Sequence, residues 1–219
     1  MHPQRALQDP STYADLIAEF CASASEVDDL ADPELVDRAA DDLIDRISYT
    51  ATVAEFHAAF VRVVTAAALP PGAAAAAQPH SGTTMLAFLR RVLAELERRR
   101  PWPEPALAQA DIEDWPSTGS GLPIAWLRLP LPLVEQAVNA SFEQVPGPDM
   151  PLLVLRLRTG QLVALIGAPG PAPDRFLVLL PDAENQQDPA EVIDHLVAYT
   201  GLPLETQGIG QHMTMLADL

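Results

Sequence analysis

Apolar positions in the first hundred residues recur at helical spacing. Tyr13, Leu16, Ile17, Phe20, Cys21 and Ala24 fall at i, i+3, i+4, i+7, i+8 and i+11, the stripe of an amphipathic helix, with Thr12 and Asp15 suited to its N-terminal cap. A second helix begins at Asp32-Pro33-Glu34. There a capping carboxylate precedes a proline whose missing N–H costs nothing at the first helical position. Val36, Ala40, Leu43, Ile44 and Ile47 form its inward stripe. Thr52 and Glu55 make a capping box ahead of a third helix, whose inward side carries Val53, Phe56, Phe60, Val63, Val64 and Ala67. A further helix runs from about Thr83, with Met85, Phe88, Leu89, Val92, Leu93 and Leu96 inward. Arg98, Arg99 and Arg100 close it, where cations complement the helix dipole. Residues 69–82, LPPGAAAAAQPHSG, are low in complexity and read as a mobile connection. Four helices predict a small bundle.

Beyond PWPEP at residues 101–105 the period changes. Residues 152–158 and 161–166 are β-rich runs interrupted by Thr159-Gly160, which predicts an antiparallel hairpin with a two-residue connection. Prolines stop the second run, and residues 175–180 restart a third until Pro181. Leu153, Leu155 and Leu157 face one way and Leu152 and Val154 the other, so both faces of this sheet are expected to be covered at least in part. Arg156 and Arg158 mark where that cover ends, as snorkelling side chains. Residues 122–129 read as an edge strand, because Pro123 and Pro130 bar it from the interior of a sheet. A short helix is expected over 132–142, and a well-signalled one follows Asp188-Pro189, with Glu191 at the reciprocal capping position and Gly201 and Pro203 as its stop. Val192, Ile193, Leu196 and Val197 are its inward residues, and the tail over 207–216 alternates in a way that suits a strand. The fold class expected is α+β: a helical region over 1–100, a boundary over 101–121, and an α+β region over 122–219 on a three-stranded antiparallel sheet. Whether the two regions share one core is left open by the pattern.

Charge narrows the partners. The chain carries 30 acidic residues against 13 basic ones, every one of them arginine, for a formal charge of −17. The arginine-only basic set matches the codon bias of a GC-rich bacterial genome. A field of this sign repels nucleic-acid phosphate and anionic membrane surfaces, so direct nucleic-acid binding is not expected. Acid is densest between Glu26 and Arg46, where nine carboxylates stand against two arginines. Glu34, Asp37, Asp41 and Asp45 recur there at intervals of three or four residues and line one side of the helix. Such a run is usually a solvated face. Yet like charges at this spacing destabilise a helix by roughly 0.2–0.5 kcal/mol per pair, so these four are the candidate docking residues for a partner with a basic surface. The run lacks the order of a calcium loop.

Candidate chemistry is sparse. Cys21 lies on an apolar stripe and reads as an inert buried thiol, and one cysteine supports neither a disulfide framework nor a thiolate zinc site. His57 and His195 lie on helix flanks without a metal-ligand or dyad spacing, and His2, His80 and His212 are isolated. Asp111 and Glu113 share a face only in an extended strand. Gly208-Ile209-Gly210 lacks the third glycine and following helix of a dinucleotide site. No nucleophile elbow or phosphate loop occurs, so no catalytic residue, metal or cofactor is assigned. Trp115 and Trp126 are the candidate lining of a ligand pocket. The N-terminus has no apolar core of a signal peptide and no segment has the roughly 20 apolar residues of a membrane span, which makes the cytoplasm the expected location. The leading expectation is a non-catalytic acidic protein-binding protein of the immunity, chaperone or regulatory-adaptor type. Alternatives are a small-molecule-binding or sensor domain and an unrecognised hydrolase.

Overall fold

A computed structural model describes residues 10–115, 121–145, 150–170, 172–181 and 188–210. The chain divides into two units, Met1–Glu104 and Pro105–Leu219, at the proline-rich segment where the pattern changes period. The protein is α+β, with helices in the first unit and an antiparallel sheet with helices in the second.

In the first unit, helix ends are fixed by their own side chains. Helix α1 spans Pro10–Ser25. Helix α2 spans Pro33–Asp45, with the Asp32 carboxylate accepting from the Glu34 N–H at 2.9 Å. Helix α3 spans Val53–Ala66 behind the complete Thr52/Glu55 capping box, in which both orphan donors find an acceptor. Residues 69–82 are not a loose connection. Helix α4, Pro71–Ala76, forms there and packs on α1, with Ala73 and Ala77 fully buried. The alanine run that reads as low complexity is what permits this close approach, since small side chains keep the two helices near each other. Helix α5, Gly82–Arg98, follows from a Ser81 cap. The core is aromatic: the Phe20 ring lies 4.9 Å from Phe60, 5.8 Å from Phe88 and 6.2 Å from Tyr49, centroid to centroid. Ile47, expected inward, is 40 % exposed, because α2 stops at Asp45 and Arg46 turns the chain in the left-handed conformation.

Among the described residues the second unit holds a six-stranded sheet: β1 (Leu107–Ala110), β2 (Gly121–Arg128), β3 (Glu143–Val145), β4 (Met150–Leu157), β5 (Leu162–Gly167) and β6 (Arg175–Pro181). All pairings are antiparallel in the order β1-β4-β5-β6-β2, and β3 also pairs with β4. The sheet is therefore wider than the hairpin and third strand legible in the sequence, and residues 101–121 contribute β1 as well as a 3-10 turn, Ile112–Asp114. Strand β2 is an edge strand, with a register shift between Pro123 and Ala125 where proline cannot donate to the ladder. The β4–β5 hairpin forms, but its connection is three residues, 158–160. Leu157 N–H donates to Gln161 O and Gly160 N–H to Leu157 O, each at 2.8 Å, with Gly160 at φ +86°. A three-residue loop with glycine in the left-handed position twists as the flanking strands do, which explains the extra residue.

One sheet face carries Leu153, Leu155, Leu157, Val163, Leu165, Phe176 and Val178, packed with Val134 and Val138 of α6 (Leu131–Val138) and Val192 and Leu196 of α7 (Pro189–Thr200). On the opposite face Val154, Ala164 and Leu177 are also buried. Helix α6 ends earlier than the expected 142, at Asn139 in the left-handed conformation. Helix α7 has the expected Asp188 cap and Gly201 stop, but Val197 is 42 % exposed and lies off its inward stripe. Glu205 bridges to Trp126 and residues 209–210 are helical, not extended; the rest of the expected tail strand lies outside the described residues. Among the described residues no helix is long and apolar enough to cross a membrane.

Candidate functional site

Helix α2 is two-sided. Val36, Ala40, Leu43 and Ile44 are buried, and Glu34, Asp37 and Asp41 are exposed on its outer side, with Asp45 half-buried. The four residues singled out by spacing are not equivalent. Arg99, just past the end of α5, reaches across to Asp37 at 2.9 Å, to Asp41, and back to Glu95 at 2.5 Å. Three carboxylates around one guanidinium hold Arg99 above its ordinary pKa. The Glu95 carboxyl is held down at about 2, chiefly by its hydrogen bonds from Arg98 and Arg99. Asp37 and Asp41 nevertheless keep side chains 59 % and 60 % exposed. Glu34 has no ion-pair partner among the described residues. From the sequence, Arg99 reads as a dipole cap. Its role as the acid row's counter-ion joins residues about sixty apart, and nothing local signals it.

The inner flank of the same helix borders a pocket of about 130 Å³, lined by Phe20, Ala24 and Phe88 from α1 and α5, Leu35, Ala39 and Asp42 from α2, and Tyr49 after it. Burial pushes the Asp42 carboxyl up from its ordinary value, with the charge of Asp45 adding to the effect and hydrogen bonds from Ser48 opposing it. Burial likewise raises the Tyr49 phenol to about 12. Asp42 was one of nine acids in the run and was not set apart by spacing. Its distinguishing signal is its place beside Leu43 at the border of the apolar stripe, with Ser48 just beyond the helix end.

Trp115 and Trp126 do not line one pocket. Trp126 lies on β2 at one edge of the sheet, where its backbone pairs with Glu205 and its indole N–H donates to Gln207 O at 2.6 Å. Trp115 follows the 3-10 turn after β1, on the far side of β4, β5 and β6. Nearby, Asp114 pairs with Arg156 at 2.9 Å, so that arginine ends in an ion pair. Arg158 lies beyond β4, its N–H donating to Ala106 O and its guanidinium 5.9 Å from the Tyr199 ring centroid. Asp111 stands just before the 3-10 turn that holds Glu113, without a side-chain cap bond, so the two do not share a strand face.

Cys21 and the histidines are scattered. Cys21 is fully buried, and burial pushes its thiol up to about 11, away from the thiolate that a nucleophile needs. His57 meets Glu97 at 2.5 Å, His80 the carbonyl of Val27 at 2.7 Å and His195 that of Ala106 at 2.9 Å. His2 and His212 lie outside the described residues. Among the described residues no three His, Cys, Asp or Glu side chains gather as a metal-ligand set. Comparison with protein-family models, with curated proteins and with solved structures finds no match to this chain.

Proposed function

We propose that this chain is a non-catalytic protein-binding protein of the immunity, chaperone or regulatory-adaptor type, whose α2 outer face docks a partner with a basic surface. The observation that supports this reading is the openness of Asp37 and Asp41. Each is ion-paired to Arg99, yet about 60 % of its side chain still faces solvent. A single arginine leaves most of the row's lone pairs free to accept from a second cationic surface, and exposed charges of one sign speed the encounter with such a surface. Capture of a partner from the native host, followed by association kinetics, tests it. The triple variant Asp37→Asn, Asp41→Asn, Asp45→Asn is expected to associate more slowly, with a shallower salt dependence. Because Asn at 37 and 41 also releases Arg99, Glu34→Gln serves as the cleaner companion. Unchanged association rates in both variants across ionic strengths would return this face to plain solubility.

A second reading, a small-molecule sensor, is favoured by the pocket between α1, α2 and α5. Its position in the helical unit differs from the tryptophan site that the sequence suggested.

A further inference from the structure

The pocket bordered by α1, α2 and α5 pairs an aromatic inner wall with a carboxylate that meets no cation among the described residues. Phe20, Tyr49 and Phe88 are nearly inaccessible to bulk solvent, at 2 %, 4 % and 1 % exposure, and Leu35, Val27 and Ala39 continue the apolar lining outward. The volume is about 130 Å³. A dry cavity of about 150 Å³ accepts one benzene, so roughly five or six non-hydrogen atoms fit here.

Asp42 supplies the charge. Its Oδ1 accepts from the Ser48 N–H at 2.8 Å, and no cation pairs with it among the described residues. A half-buried carboxylate that has lost water without gaining a cation is under electrostatic tension, and the neighbouring Asp45 adds to it. Arg38, the cation among the lining residues, does not relieve this. Its guanidinium lies 3.6 Å from Asp32 and its side chain is 66 % exposed.

We propose that this pocket binds a small organic cation with a short apolar tail, an alkylammonium or alkylguanidinium, with Asp42 as counter-ion and Phe20, Tyr49, Phe88 and Leu35 around the tail. The inference rests on the sensor reading and adds the charge and size of the ligand. A neutral ligand of the same shape would strip further water from Asp42 without compensating it. An anion would meet both Asp42 and Asp45.

The test is an amide-shift titration of the full chain with three probes of five or six non-hydrogen atoms: n-butylammonium, 1-pentanol and butyrate. Saturable shifts are expected at Ala24, Val27, Ala39 and Tyr49 with n-butylammonium, at an affinity about tenfold above that for 1-pentanol, the size of one charge-assisted hydrogen bond. Butyrate is expected to give none. Asp42→Asn should erase the preference for the cation, and Ala39→Leu, which fills the rim, should remove binding of both the cation and the alcohol, with far-UV circular dichroism checking the fold. The comparison of probes on the unaltered chain does not depend on either variant folding. If 1-pentanol binds as tightly as n-butylammonium, the cation assignment is overturned while the sensor reading survives. If no probe gives saturable shifts, both fall.

Discussion

The two units solve the burial problem in different ways, and the difference locates the chemistry. The helical unit packs aromatic rings at its centre, Phe20, Tyr49, Phe56, Phe60 and Phe88, and surrounds them with charge. Nine of the 13 arginines lie in residues 1–104, and Arg38, Arg98, Arg99 and Arg100 among them pair with Asp32, Asp37, Asp41, Glu95 and Glu97. Large rings on short helices do not tile perfectly, and the gap between Phe20, Tyr49 and Phe88 is the pocket. The sheet unit is packed with leucine and valine, and its interdigitated strands carry their polar groups in backbone ladders. Side chains free to do chemistry collect where helices meet, because a sheet's regular pleat leaves little irregular space between neighbours.

Four substitutions break or sharpen this contrast. The largest effect is expected from Phe20→Ala, which removes the ring at the centre of the aromatic cluster and should cost about 3–5 kcal/mol. Native-state hydrogen exchange should then show α1, α3 and α5 opening while β4 and β5 keep their protection. Equal loss in the strands would mean that the two units unfold as one. In the sheet unit, Gly167→Ala would place a Cβ 2.5 Å from Pro151 Cγ and 2.9 Å from Phe176 Cε1. Overpacking of this kind costs about 1–3 kcal/mol. Chemical denaturation should register it, with exchange rising first in β4, β5 and β6. A stability unchanged from the parent would show that the sheet yields more readily than its dry packing implies.

Thr52→Ala tests the local side of the comparison. Loss of one partner of the capping box should cost about 1 kcal/mol, and restoring a serine should recover most of it. The smallest effect at neutral pH is expected from Glu95→Gln, about 1 kcal/mol or less, since glutamine keeps an oxygen that accepts from Arg98 and Arg99 and only the charge is lost. Its signature lies in acid. The folded pKa of Glu95 is depressed to about 2, so its stabilisation is present above the unfolded carboxylate value and is lost as pH falls through the folded one. The parent should therefore lose helical-unit stability between roughly pH 4.5 and pH 2, and the variant should lose less over that window. Identical acid profiles would remove Glu95 from the Arg98–Arg99 network.

By itself the sequence determined the features whose causes lie within a few residues. Asp32-Pro33, Thr52 with Glu55, and Asp188-Pro189 with Gly201 set helix ends because cap and capped N–H are two or three residues apart. The apolar periods set which face of α2, α3 and α5 is buried, and the prolines of 101–105 set the division between units. Pattern fails where the partner is distant or the segment short. A strand of three or four residues, such as β3 or β1, has no period to read and exists only because β4 supplies a ladder. Helix α4 needed α1 to bury Ala73, because six residues are too few for a helix to hold by itself, whatever the propensity of alanine. Trp115 and Trp126 are eleven residues apart in the chain, but the strand order sends them to opposite edges of the sheet. Arg99 met Asp37 and Asp41, and Asp42 met the rim of the pocket, only once α2 had docked beside α5. Which charges compensate one another depends on distance through space, and tertiary packing alone sets that distance.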